Sequence, residues 1–250
     1  MACHSRSNSL PTRSHSFVLK AEEELNKVRA YVGSSSLTHE IMLDAIKAIG
    51  HVYECINDVL CMSSNQNCLS QWQQRRWIDQ ELGESIKLLD ICSTSRENLD
   101  ALKCYIQNQE SAIRRGESKA TKSSVRDLSN LVKKACKDVK KHNSRKSESL
   151  DGGSLACASL IMEARELTFS LVQAAFSSLA EQTIEQSCSK WSLASKLLHK
   201  RSAAYKGEKI DLVLGVASLL SNVEGLDSGL ECLFRHLIQC RVSLLNLCTL

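Results

Sequence analysis

A single proline, Pro11, stands in 250 residues, and only ten glycines accompany it. A chain so poor in turn punctuation cannot supply the tight reversals that a sheet protein needs. Long helices joined by polar loops are the remaining solution, and apolar periodicity shows where they fall. The stretch from Gln71 to Arg115 carries one series at Ile78, Leu82, Ile86 and Leu89 and a second at Leu99, Leu102, Ile106 and Ile113. Spacings of three, four or seven place each series on one helix face. Between them Thr94-Ser95-Arg96-Glu97 has the order of a capping box. The stretch is therefore either one long helix or two joined near Ser93. Trp77 and the leucines need other helices to cover them, so this is an interior element.

The same pattern recurs along the chain. Val18, Ala21, Leu25, Val28 and Val32 predict a short docking helix from about Ser16, closed by Gly33 and the serines after it. From an N-cap at Thr38, two adjacent stripes follow: Ile41, Ala45, Ala48, Val52, Cys55 and Val59 beside Met42, Ile46, Ile49, Tyr53, Ile56 and Leu60. A face that wide is buried on more than one side. Residues 63–70 read as a polar loop, and 122–142 as an amphipathic helix with Val125, Leu128, Val132, Ala135 and Val139 inward. Leu160 to Leu179 marks a long helix and Trp191 to Arg201 a shorter one. The final element alternates threes and fours from Val223 through Leu226, Leu230, Leu233, Leu237, Cys240 and Leu244 to Leu247, which favours an intramolecular bundle and leaves a coiled-coil dimer open. The fold class is all-α: a multi-helix bundle of long amphipathic helices behind a disordered N-terminal tail. Residues 1–15 form the Ser/Arg-rich tail and 16–250 a single helical-bundle domain, with 144–153 as an internal linker.

Charge and cysteine usage narrow the function classes. Residues 114–146 hold 12 Lys and Arg against 3 acids, so a chain of net charge +4 has one strongly basic segment and an acidic remainder. Arg126, Lys133, Lys137, Lys140 and Lys141 lie opposite the apolar stripe of the 122–142 helix. They are the candidates for a peripheral membrane- or nucleic-acid-surface binder, the alternative function; the lack of interleaved aromatics weakens sequence-specific recognition and makes nucleic acid the less favoured partner. The twelve cysteines show no CxxC pair and follow no secretory signal, so they read as small buried hydrophobes of a reducing compartment. His51 with Cys55, and Cys232 with His236 and Cys240, have helical ligand spacing, yet they sit on or beside apolar stripes. Neither a metal nor a cofactor is expected. No phosphate loop, HExxH or nucleophile elbow appears, and Asp79, Glu81 and Glu84 read as a solvated helix surface. The chain is read as a non-enzyme of the cytoplasm. A chloroplast location is the alternative offered by its Arg- and Ser-rich start, which has no acid before Glu22, and a peripheral membrane location the one offered by its basic helix.

Arg6-Ser7-Asn8-Ser9-Leu10-Pro11 has the order Arg-Ser-X-Ser-X-Pro and resembles the phosphopeptide bound by 14-3-3 proteins, with Ser9 as phosphate carrier and Arg6 and Pro11 as flanking determinants. Three separated segments, RSNSLPTRSH, WIDQELGESIKLLDICSTSREN and GLECLFRHLIQCRVSLLNL, occur in the order that resembles the plant-specific BYPASS-related family, a domain of unknown function. The resemblance implies a regulatory or interaction role in root and shoot development and supplies no catalytic residue. Oligomeric state is left open.

Overall fold

The computed structural model describes residues 13–33, 38–62, 66, 72–115, 121–143, 156–186 and 205–249, and the described residues form six α-helices and no strand. These are α1 (Arg13–Val32), α2 (His39–Leu60), α3 (Trp72–Arg115), α4 (Thr121–Asn143), α5 (Ala156–Gln186) and α6 (Tyr205–Thr249). The polar loop at 63–70, apart from Gln66, the linker at 144–153 and the Trp191–Arg201 segment lie outside the described residues.

Local chemistry explains the starts and faces. Thr38 caps α2 as its spacing predicts: its Oγ1 accepts from Ile41 N at 3.4 Å, with extended backbone at φ −70°. Every member of the two α2 stripes is buried except Ile41, so this helix is covered on two sides. α1 begins at Arg13, three residues ahead of the predicted start, and buries Ala21, Leu25 and Val28.

The central stretch is one helix of 44 residues, and Thr94 caps nothing. The capping-box order is overridden by tertiary packing, because α6 runs antiparallel alongside and covers the helix through that point. Arg75 Nη2 donates to Cys248 O, Arg241 to Leu82 O, Arg96 Nε to Asp227, and Lys103 pairs with Glu224, a ladder that spans both helices. The inward face of α3 is Ile78, Glu81, Ser85, Leu88, Cys92, Ser95, Leu99, Leu102 and Ile106, an unbroken alternation of threes and fours. Ile86, assigned inward from its apolar character, is 45% exposed. Three positions of the true seam hold Glu81, Ser85 and Ser95, so a count of hydrophobes alone picks the wrong phase.

The facing helix α6 keeps the same alternation from Val216 to Leu247, with every seam residue buried. Those leucines are buried inside the chain, as an intramolecular bundle requires. Where α6 meets α2 the backbones approach closely. A Cβ on Gly225 would sit 3.0 Å from Leu43 Cδ1, and one on Gly229 3.0 Å from Ile46 Cγ2, which is why these helix positions carry no side chain.

The helices stack in two tiers. The first joins α1, α2, the N-terminal halves of α3 and α5, and the C-terminal half of α6. The second joins α4, the C-terminal halves of α3 and α5, and the N-terminal half of α6. One continuous apolar cluster runs through both.

Candidate functional site

The first tier contains a polar seam. Arg165 Nη1 on α5 donates to Glu81 Oε2 on α3 at 2.5 Å, and the two residues are 6% and 3% exposed. Glu84 is buried one turn away and accepts from Lys87 Nζ at 2.7 Å. Of the three carboxylates read as a solvated surface, only Asp79 is exposed. The correction follows from the phase of α3, since Glu81 lies in register with Ile78, Ser85 and Leu88 under α5 and α6. Burial pushes the Glu81 carboxyl above its usual range, and the neighbouring Arg165 guanidinium opposes that shift without cancelling it.

Two further links tie the same helices. Thr168 Oγ1 donates to Ala164 O at 2.7 Å, which leaves Tyr53 OH to donate to Thr168 Oγ1 at 3.2 Å across α2 and α5. Arg241 on α6 donates to Leu82 O and, at 2.6 Å, to Ser85 Oγ on α3. Around this seam, burial pushes the Cys92 and Cys157 thiols up to about 12, and that of Cys240 higher still. Protonated thiols are poor nucleophiles and poor metal ligands. The Glu81 carboxylate is held by a guanidinium, the Tyr53 and Thr168 hydroxyls by one another and the Ser85 hydroxyl by Arg241, so the arrangement sets helix register.

The spaced His and Cys residues do not converge. His51 is exposed while Cys55 is buried; Cys232 is exposed, His236 packs toward Gly50, and Cys240 is buried. Among the described residues, no group of three or more His, Cys, Asp or Glu could hold a metal ion. No helix among the described residues is long and apolar enough to cross a membrane.

Two surfaces stand out. Lys133, Lys137, Lys140 and Lys141 are exposed together on α4, joined by Lys134, while Leu128, Val132, Ala135 and Val139 of the same helix are buried. Arg126 belongs to α4, but its side chain lies outside the described set. The second surface follows the α3–α6 seam at the level of Arg241. There Ile86, Ile238, Val242 and Leu245 are each 41 to 48% exposed; Ile86 belongs to a series that spacing counts inward, while Ile238, Val242 and Leu245 stand outside the Val223 to Leu247 alternation and draw no reading from the sequence. Arg6, Ser9 and Pro11 lie outside the described residues.

No curated protein matches the chain, and no solved structure does. A protein-family model described as Protein BPS1 matches residues 45–247, from within α2 almost to the end of α6. That span takes in the polar seam, the lysine face and the ribbon, and the family is not a known enzyme family. The chain belongs to the BPS1 protein family, the BYPASS-related group that its three sequence segments resemble.

Proposed function

We propose that this protein is a non-enzymatic regulatory protein of the plant cytoplasm that acts by binding other proteins, in the root and shoot development associated with BYPASS-related proteins. The observation that carries the reading is the exposed ribbon of Ile86, Ile238, Val242 and Leu245, set beside an interior in which Arg165 holds the Glu81 carboxylate, Tyr53 and Thr168 bond one another and the Cys92 thiol is kept protonated. Ile238, Val242 and Leu245 at i, i+4 and i+7 cover roughly 10 Å of one helix face, the spacing that receives the apolar side of a partner helix. An apolar ribbon left facing water by a folded protein is a candidate interaction surface.

The N-terminal motif supplies the control. Phosphate on Ser9 would add a charge of roughly −1.5 to −2 and acceptor oxygens suited to an arginine cluster, and Arg6 and Pro11 complete the order that 14-3-3 proteins bind. Residues 16–250 then act as one scaffold whose location or lifetime the tail governs.

Affinity capture from plant extract tests both parts, using the full chain, Ile238→Glu/Val242→Glu, and Ser9→Ala. The first variant should lose the ribbon partner while its helical circular dichroism is retained, and the second should lose 14-3-3 alone. Identical partners for the parent and the ribbon variant would refute the ribbon reading. A phosphorylated peptide of residues 1–16 with no measurable 14-3-3 affinity in calorimetry would end the tail reading.

A further inference from the structure

A lysine face on an amphipathic helix has two physically different uses. A free helix of that kind lies in a bilayer interface with its apolar side among acyl chains. α4 cannot do so while the bundle is intact, because Leu128, Val132, Ala135 and Val139 are between 0 and 6% exposed against α3 and α5. Its lysine side, by contrast, faces water: Lys133, Lys134, Lys137, Lys140 and Lys141 are all exposed. They occupy roughly 12 Å of helix length at 1.5 Å per residue.

The acidic groups of α4 leave this face positive. Asp138 is half-buried and turned to α3, where it accepts from Asn98 Nδ2 at 3.4 Å. Asp127 lies about a turn and a half before the first of the lysines. The remainder of the chain outside 114–146 has more acids than bases, so the charge is a local feature and not a property of the whole surface.

We propose that the lysine face of α4 docks the folded protein onto an anionic phospholipid bilayer by charge alone, with no side chain inserted. The charge complementarity is that of a planar lattice of headgroups meeting several ammonium groups at once. Lysine suits that partner, since its ammonium is a compact point charge without the planar fork that arginine presents to bases and single phosphates. Among its described residues the face has no Phe, Tyr or Trp on which a base could stack. The inference goes beyond the protein-binding role, because the ribbon on α3 and α6 takes no part in it.

Sedimentation of the full chain with large vesicles of phosphatidylcholine containing 30% phosphatidylserine provides the test. Each lysine near the surface strengthens binding about fivefold, the equivalent of about 1 kcal/mol. Changing Lys133, Lys137, Lys140 and Lys141 to Gln should therefore weaken retention by about two to three orders of magnitude. Raising salt from 0.05 to 0.5 M should release the parent protein, as screening demands. A control with Lys20, Lys27, Lys47 and Arg235 changed to Gln carries the same net charge as the test variant and should keep near-parental binding. The proposal is overturned by no retention of the parent at low salt, by equal loss in the control, or by retention that survives 0.5 M salt, which would show insertion. Tighter binding to duplex DNA or single-stranded RNA than to the vesicles would assign the face to nucleic acid and likewise overturn it.

Discussion

The two tiers of the bundle use charge in opposite ways. The first buries it: Glu81 and Arg165 meet inside, Arg241 reaches the α3 backbone, and Tyr53 bonds Thr168 between α2 and α5. The second fills its interior with Leu99, Leu102, Ile106, Val132, Ala135, Phe176 and Leu219, and carries its cations on the outer side of α4. An apolar core tolerates many equivalent packings, whereas a buried ion pair is satisfied only in one register of the helices that hold it. The first tier therefore fixes how the long helices α3 and α5 are aligned, and the second extends that alignment and displays a charged surface.

Removing one partner of the pair should give the largest effect. Arg165→Ala strands the Glu81 carboxylate in a dry interior and should lower unfolding free energy by about 3 to 5 kcal/mol in urea titrations. Phe176→Ala in the second tier should cost a similar amount, about 3 to 5 kcal/mol, through the cavity it leaves. Rescue separates the tiers. Glu81→Leu/Arg165→Met should recover most of the lost stability, since an apolar pair of similar volume needs no counter-charge. A double variant as unstable as the single one would show that the seam does more than balance charge.

A smaller effect is expected where α2 and α6 touch. Gly229→Leu forces a side chain into the space already held by Ile46 and should cost about 1 to 3 kcal/mol, whereas Gly83→Ala, in open space on the same tier, should be neutral or stabilising. Equal thermal midpoints for the two variants would contradict the close approach.

The pH dependence isolates the first tier. The folded-state pKa of Glu81 is raised, so the native chain holds this proton more tightly than the unfolded chain. The contribution of Glu81 to stability therefore falls as pH rises through its folded pKa, and it improves as pH drops toward the unfolded value of about 4.3. Glu81→Gln should remove that component from the difference between urea midpoints measured across the acid range. An unchanged difference would place the titration elsewhere.

The smallest stability change is expected on the second tier's exterior. Lys133→Gln/Lys137→Gln/Lys140→Gln/Lys141→Gln should shift unfolding free energy by less than about 0.5 kcal/mol, because no core contact is lost. A larger shift would make the lysine face part of the fold's support.

How much of this was legible follows from where polar residues fall. α2 could be read almost residue by residue, since its two stripes are apolar without interruption and Thr38 marks its start. α4 was equally plain, because its lysines and its valines occupy opposite sides. α3 was misread in phase, as Glu81, Ser85 and Ser95 stand where the seam needs inward residues and Ile86 stands outside it. Glu81 signals nothing by itself; it becomes a core residue only because Arg165, 84 positions away, is brought against it. The ribbon escaped notice for the converse reason, since apolar side chains at helical spacing do not reveal which face their own neighbours leave uncovered.

By itself the sequence determined the helical class, most helix positions, the segregation of basic charge to one segment and the family. Those are consequences of local spacing and composition, which act within a few turns of one helix. Only the tertiary structure decided that α3 continues unbroken past Thr94, that the α6 leucines are spent inside the chain, and that α4 has no apolar side to offer a membrane. Each of these depends on which helix lies alongside, and burial by a distant segment outweighs a local cap worth about 1 kcal/mol.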